Sequence, residues 1–322
     1  MSMYEYAIAK NVLTRLLSRE DFLSILSSRN IENAIKTIAD KPIGARLYQV
    51  IRSKTYSITD LELEIDQFNL ERLSIFKQTC RKDKIYTIDS IEKLFDLINI
   101  AYIVLNLING GKPSIIYPVG NAANIDLSGV SSLEEFKNIL GKNLGKLLEL
   151  VIMDGFRDYN LLFSAINKLR DHLLLPMRMR RVYGFIRDSN LVKTCLLMKE
   201  EPVKLPHLLT MSLEDFTNLC RSKDPDQLMR MLREINPLYK GFSELLSEIY
   251  NVSKNMGIID FAILLYASYI SEDLIYSYEE VIARAYILMI TEALMLKTAL
   301  TNLWFNTNIE YLKNIVNKWW II

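Results

Sequence analysis

Ser18-Arg19-Glu20-Asp21-Phe22, Ser132-Leu133-Glu134-Glu135-Phe136 and Ser212-Leu213-Glu214-Asp215-Phe216 are three copies of one five-residue pattern. Each copy has the chemistry of a helix start. The serine hydroxyl accepts a hydrogen bond from the N–H three residues on, and the acidic residue there reaches back to the serine's own N–H. Carboxylates in the first turn also suit the positive end of the helix dipole. The phenylalanine then opens an apolar face at i, i+3, i+4: Phe22/Ile25/Leu26, Phe136/Ile139/Leu140 and Phe216/Leu219/Cys220. The repetition predicts a helical unit used three times, an architecture of scaffolds more than of catalysts.

Working outward, the 322 residues are 50% hydrophobic, enough for a continuous core. Only 11 glycines and 8 prolines occur, with no proline between Pro42 and Pro113 or after Pro237, so long stretches are free to be helix. No segment alternates apolar and polar residues as a half-buried strand does. The expected fold class is all-α, with helical lobes at 1–115, 116–205 and 206–322 and an approximate internal threefold repeat.

The 39 Lys and Arg nearly cancel the 38 Asp and Glu, and a net charge of +1 argues against a nucleic-acid protein driven by phosphate contacts, leaving room only for a local basic patch. Cys80, Cys195 and Cys220 share no close spacing, which predicts reduced thiols and an intracellular chain. The first ten residues lack a basic stretch followed by an apolar one, so no secretory signal is expected. The most apolar windows are Leu94–Ile108, Ile258–Ile270 and Ala285–Phe305. The first contains Asp96, Asn99 and Asn106, the last contains Glu292 and Lys297, and the middle one is too short for a ~30 Å bilayer. All three read as buried helices, with no membrane span.

Along the chain, helical patterns run over Tyr4–Leu17, Thr59–Cys80, Leu144–Arg170 and Met179–Lys199, with a cap at Asp89 or Ser90 for a helix ending near Ile108. Gly110-Gly111-Lys112-Pro113 ends that helix, and the segment from Tyr117 to Gly129 reads as the longest loop. Lys82–Ile88 is a polar break and Glu201-Pro202-Val203-Lys204-Leu205-Pro206 a linker. The final helices are expected over Phe242–Met256, Ile259–Ile270 and from Tyr278 onward, with Trp319-Trp320-Ile321-Ile322 packed against them.

A second echo sets polar residues into apolar helices: Asp96 with Asn99, Arg187 with Asn190, and Glu292. The first two pairs stand at i, i+3 and so share one helix face. Each echo follows one opener along the chain; these residues read first as buried polar groups paired with neighbouring helices, and they are also candidates for contact with partner proteins. So are Arg178, Arg180 and Arg181 in the one dense basic run, Met177-Arg178-Met179-Arg180-Arg181, which reads as a solvated helix face, ahead of a contact with an acidic protein surface and, last, a nucleic-acid contact.

Catalysis is not expected. The two histidines, His172 and His207, lie in a charged helix and a proline-flanked linker, where each reads as a surface residue. Gly110-Gly111-Lys112-Pro113 lacks the strand and spacing of a phosphate cradle. No Cys/His cluster has metal-ligand spacing, and the acidic pairs Glu134/Glu135, Glu200/Glu201 and Glu279/Glu280 are adjacent, so they do not converge on one face. No cofactor is implied.

Three stretches together carry a family resemblance. They are the aromatic start Tyr4-x-Tyr6-Ala7 followed by Lys10 and Arg15, the helix from Asp96 to Ile100 followed by the loop from Gly110 to Gly120, and the late helix with Tyr286, Glu292, Leu296 and Lys297. In these the chain resembles the C-type central-stalk subunits of archaeal and bacterial A/V-type ATP synthases, whose eukaryotic counterpart is the d-type subunit of the vacuolar ATPase. Arg187 stands where that family has an acidic residue, Met295 replaces a polar partner, and Lys297 replaces arginine. The resemblance implies a three-lobed, all-helical funnel. It implies a peripheral place on the cytoplasmic face of the membrane, on the proteolipid ring, holding the tip of the central axle. Such a protein has no chemistry of its own and passes torque between ring and catalytic head. A helical adaptor binding a protein or peptide partner is the other expected class.

Overall fold

The computed structural model describes residues 3–53, 55–80, 85–198, 206–222, 224–253, 259–307 and 309–322, with side chains described from residue 7 and not for His172 or Ser253. Most of the 201–206 linker, the start of the 82–88 break and the side chain of His172 fall outside this set. The described residues contain helices and no strand. In chain order these are α1 (Met3–Arg15), α2 (Arg19–Leu26), α3 (Ile31–Thr37), α4 (Pro42–Arg52), α5 (Ile58–Thr79), α6 (Tyr86–Ile108), α7 (Leu133–Ile139), α8 (Lys142–Ile152), α9 (Tyr159–Lys168), α10 (Met177–Leu197), α11 (Leu213–Cys220), α12 (Pro225–Ile235), α13 (Pro237–Ser253), α14 (Ile259–Ile270), α15 (Tyr278–Trp304) and α16 (Ile309–Trp319). The all-α expectation holds.

Contacts gather the chain into two compact units, residues 1–81 with 237–322, and residues 82–236. In the first, α15 is the central helix. It packs against α1, α2, α5 and α14, and from Val281 to Met289 only Arg284 is not buried. A helix apolar nearly all round has to be enclosed by others. The α5–α15 contact carries a polar ladder: Glu62 accepts from Thr301 (2.9 Å), Asp66 pairs with Lys297 (2.8 Å), and Arg72 pairs with Glu292. Positions rise on α5 as they fall on α15, so the two helices are antiparallel.

In the second unit α6 packs against α8 and α9, and α10 against α9 and α11. The stretch expected as one helix over 144–170 is two, α8 and α9, separated by a turn with Gly155 at φ +66°. α6 starts at Tyr86, about a turn before the expected caps, leaving Asp89 and Ser90 inside the helix. Pro42 and Pro237 each stand first in a helix, where a missing N–H costs nothing.

The tail packs as expected and also reaches the first opener. Trp319 lies edge-on to Tyr269 (5.1 Å) and donates to Glu248 (3.0 Å). Trp320 lies edge-on to Phe22 (5.3 Å) and donates to the Leu17 carbonyl (3.0 Å).

One sequence reading is overturned. Cys195 and Cys220 form a disulfide, with Cα atoms 5.6 Å apart, while Cys80 is a buried thiol outside it. The two cysteines lie near the ends of α10 and α11, which pack together; their separation of 25 residues resembles no linear motif.

Candidate functional site

Ser18, Ser132 and Ser212 are N-caps. Each accepts from the N–H three residues on, at 3.2, 3.2 and 3.0 Å, and the first two close full capping boxes with Asp21 and Glu135. Phe22, Phe136 and Phe216 are all buried. Ser57 and Ser277 form capping boxes too, at the starts of α5 and α15, with Leu61 and Val281 in place of phenylalanine. The cap alone therefore does not define the repeat. What the three openers share is a buried carboxylate that takes backbone N–H groups upstream of the serine, at residues 17, 122 and 209–210.

On α6, Asn99 treats a loop as a strand treats its neighbour. Its Nδ2 donates to the Tyr117 carbonyl (2.8 Å), and its Oδ1 accepts from the N–H groups of Ile116 (3.2 Å) and Tyr117 (3.0 Å). One turn earlier, Asp96 accepts from the N–H of Ala122 (2.7 Å) and the amide of Asn121 (3.4 Å). Gly120 allows this approach: its φ is +81°, and a Cβ there would stand 2.3 Å from Asp96 Oδ1. Burial pushes the Asp96 carboxyl up to about 6, against the pull of those donors.

On α10 the clamp is Asp188. Its Oδ2 accepts from the N–H of Leu209 (2.7 Å), the N–H of Thr210 (2.7 Å) and the Thr210 hydroxyl (2.9 Å). Its Oδ1 pairs with Arg187 (3.0 Å), which also donates to the His207 carbonyl (2.6 Å). Both side chains are fully buried, and burial works against each charge, raising Asp188 and lowering Arg187. The Nε and Nη2 of Arg187 meet no acceptor among the described residues.

On α15, Glu292 accepts from the Leu17 N–H and pairs with Arg72. Arg72 in turn donates to Asn69 (3.2 Å) and to the Met289 carbonyl (3.0 Å).

The three sites follow one rule. A carboxylate buried on a long helix takes backbone N–H groups upstream of a serine-capped helix, and that helix packs on the same long helix: α6 with α7, α10 with α11, α15 with α2. Each echo therefore belongs with the opener that follows it rather than the one before, and the last returns to the first. At the second site the working acid is Asp188, one position beyond Arg187.

The candidate contact residues divide accordingly. Asp96, Asn99, Arg187, Asn190 and Glu292 are all buried, and their side chains bond within this chain. Asn190 donates to the Ile186 carbonyl of its own helix (2.8 Å) and clamps nothing. Arg178, Arg180 and Arg181 are exposed at the start of α10, beside exposed Leu173, Leu174 and Met177. His207 is exposed, and its N–H donates to Asn167 (2.9 Å).

Among the described residues no three or more His, Cys, Asp or Glu side chains are grouped to hold a metal ion, and no helix is long and apolar enough to cross a membrane. Comparison with protein-family models gives no match, and comparison with curated proteins gives none.

Proposed function

We propose that the chain is the non-catalytic adaptor of a rotary A/V-type ATP synthase, joining the central axle to the proteolipid ring and passing torque between them. It would sit peripherally on the cytoplasmic face and contact the other proteins of the complex, not nucleic acid. One observation carries the reading: three buried carboxylates hold three serine-capped helices by the same rule, the third returning to the first. A torque adaptor needs stiffness without chemistry, and these charges are spent on internal fastening. The approximate threefold repeat and funnel implied by the resemblance fit that recurrence. Affinity purification of the tagged chain from its native membranes tests the proposal, with rotary ATPase subunits expected alongside. A reconstituted ATPase that keeps coupled ion pumping without this chain would refute it.

The second reading, a helical adaptor for a protein or peptide, is favoured by the exposed Leu173, Leu174 and Met177 beside the arginines of α10. Recovery of a soluble partner with no rotary ATPase component present would select it.

A further inference from the structure

α1, α4 and α5 of the first unit enclose an open groove of about 500 Å³. Its wall is apolar: Ile8 and Val12 from α1, Ile43 from α4, and Phe68, Ile75 and Phe76 from α5. Ile75 is 62% exposed although it lies on this wall. Three charged residues also line the groove, Arg15, Glu71 and Arg72. Glu71 is taken by Arg46 (2.6 Å) and Gln67 (3.1 Å), and Arg72 by Glu292. The exposed Arg15 side chain forms no hydrogen bond or ion pair with a described residue, so among the three it is the charge left to solvent at the groove's rim. In addition, the buried Nε of Arg72 finds no acceptor among the described residues. A mostly apolar cleft with a few convergent polar groups is the usual form of a small-molecule site, and its volume lies within the range of such sites.

We infer that this groove binds a small single-chain amphiphile with an anionic carboxylate head, its alkyl tail on the Ile8/Val12/Phe68/Ile75 wall and its head at Arg15. A guanidinium matches a carboxylate in charge and in its paired donor geometry. A partner helix fits less well. A helix is ~10 Å across with a ~5.4 Å pitch, so the groove holds about one turn, whereas helix-in-groove recognition uses anchors spread over two. The inference is independent of the rotor proposal and stands or falls without it.

The test uses the full chain and isothermal titration calorimetry with dodecanoate and, separately, dodecanol. Saturable one-to-one binding of dodecanoate is expected. Arg15→Gln should weaken dodecanoate about tenfold and leave dodecanol unchanged, because only the head contact is lost. Ile75→Glu, at an exposed position and checked for unchanged helicity by circular dichroism, should weaken both ligands at least tenfold. Met153→Glu, an equally exposed apolar position in the other unit, should weaken neither. The inference is overturned by absence of saturable dodecanoate binding up to about 1 mM, by equal affinity in wild type, Arg15→Gln and Ile75→Glu, or by an amphipathic helical peptide outcompeting dodecanoate at matched concentration.

Discussion

Replacing Glu292 with alanine tests the clamp at the point where the last long helix holds the first opener. The Glu292 side chain is 3% exposed, and its two partners are the Leu17 N–H and the Arg72 guanidinium, itself 17% exposed. Removing one member of a buried ion pair costs ~3–5 kcal/mol, because the other charge stays buried. Arg72 keeps two neutral acceptors, Asn69 and the Met289 carbonyl, which places the charge penalty near the lower end. Orphaning a buried N–H adds ~1–3 kcal/mol, partly offset if water fills the space left. Glu292→Ala should therefore lose about 4 kcal/mol. Glu292→Gln keeps the size and an acceptor for Leu17 and should lose about 2 kcal/mol. An Arg72→Met/Glu292→Leu pair should recover much of the loss, since apolar replacement of a buried pair is often close to neutral. The assay is urea unfolding followed by circular dichroism, with hydrogen exchange reporting locally. Amides of residues 17–22 should lose protection first. A cost below about 1 kcal/mol for Glu292→Ala, or equal costs for alanine and glutamine, would refute the reasoning.

Asp96 predicts a pH dependence. Its folded value of about 6 lies above the ordinary 3.8, so between these values the folded chain holds a proton that the unfolded chain has released, and stability falls as pH rises. The gap corresponds to about 3 kcal/mol, and Asp96→Asn should flatten the stability curve between about pH 4 and 7 by that amount; an unchanged curve refutes the assignment. Gly120→Ala should cost more than about 2 kcal/mol in thermal or urea unfolding, because the Cβ meets Asp96 and the positive φ is disfavoured; a neutral result would mean the loop relaxes freely. Reducing the Cys195–Cys220 bond, which spans 25 residues, should destabilise the second unit by about 3.5 kcal/mol through regained chain entropy, read as a lower Tm in reductant that Cys195→Ser reproduces.

The helix starts were legible because a capping box is local: Ser18 and Asp21, or Ser132 and Glu135, stand three residues apart and declare themselves in the sequence. That Asp96, Arg187 and Glu292 mattered was legible as polar residues placed in apolar helices. What they bind was not. Asp96 reaches residue 122, Asp188 residues 209 and 210, and Glu292 residue 17, and no periodicity encodes partners at those distances. A buried carboxylate is ambiguous in one dimension, since the same residue suits an exposed contact or an internal clamp. The opener-then-echo order suggested the wrong pairing because the chain order is cyclic and can be cut at either point. Asn190 shared the spacing of Asn99 yet turned to its own helix, so spacing placed the side chain on a face without fixing its acceptor. The disulfide was hidden for a related reason: Cys220 read as part of an apolar helix face, and only the packing of α11 on α10 brings Cys195 beside it.

The return of Glu292 to Leu17 has a consequence for how the polypeptide is made. Residues 82–236 are contiguous, so they can gather as soon as they leave the ribosome. α1 and α2 precede that segment but lack their central support, α15, until Tyr278–Trp304 has been made, the Leu17 donor and the Glu292 acceptor being 275 positions apart. α1 and α2 are thus translated before residues 82–236 yet secured only after them. Until then α1 and α2 would have to be shielded from aggregation by a chaperone.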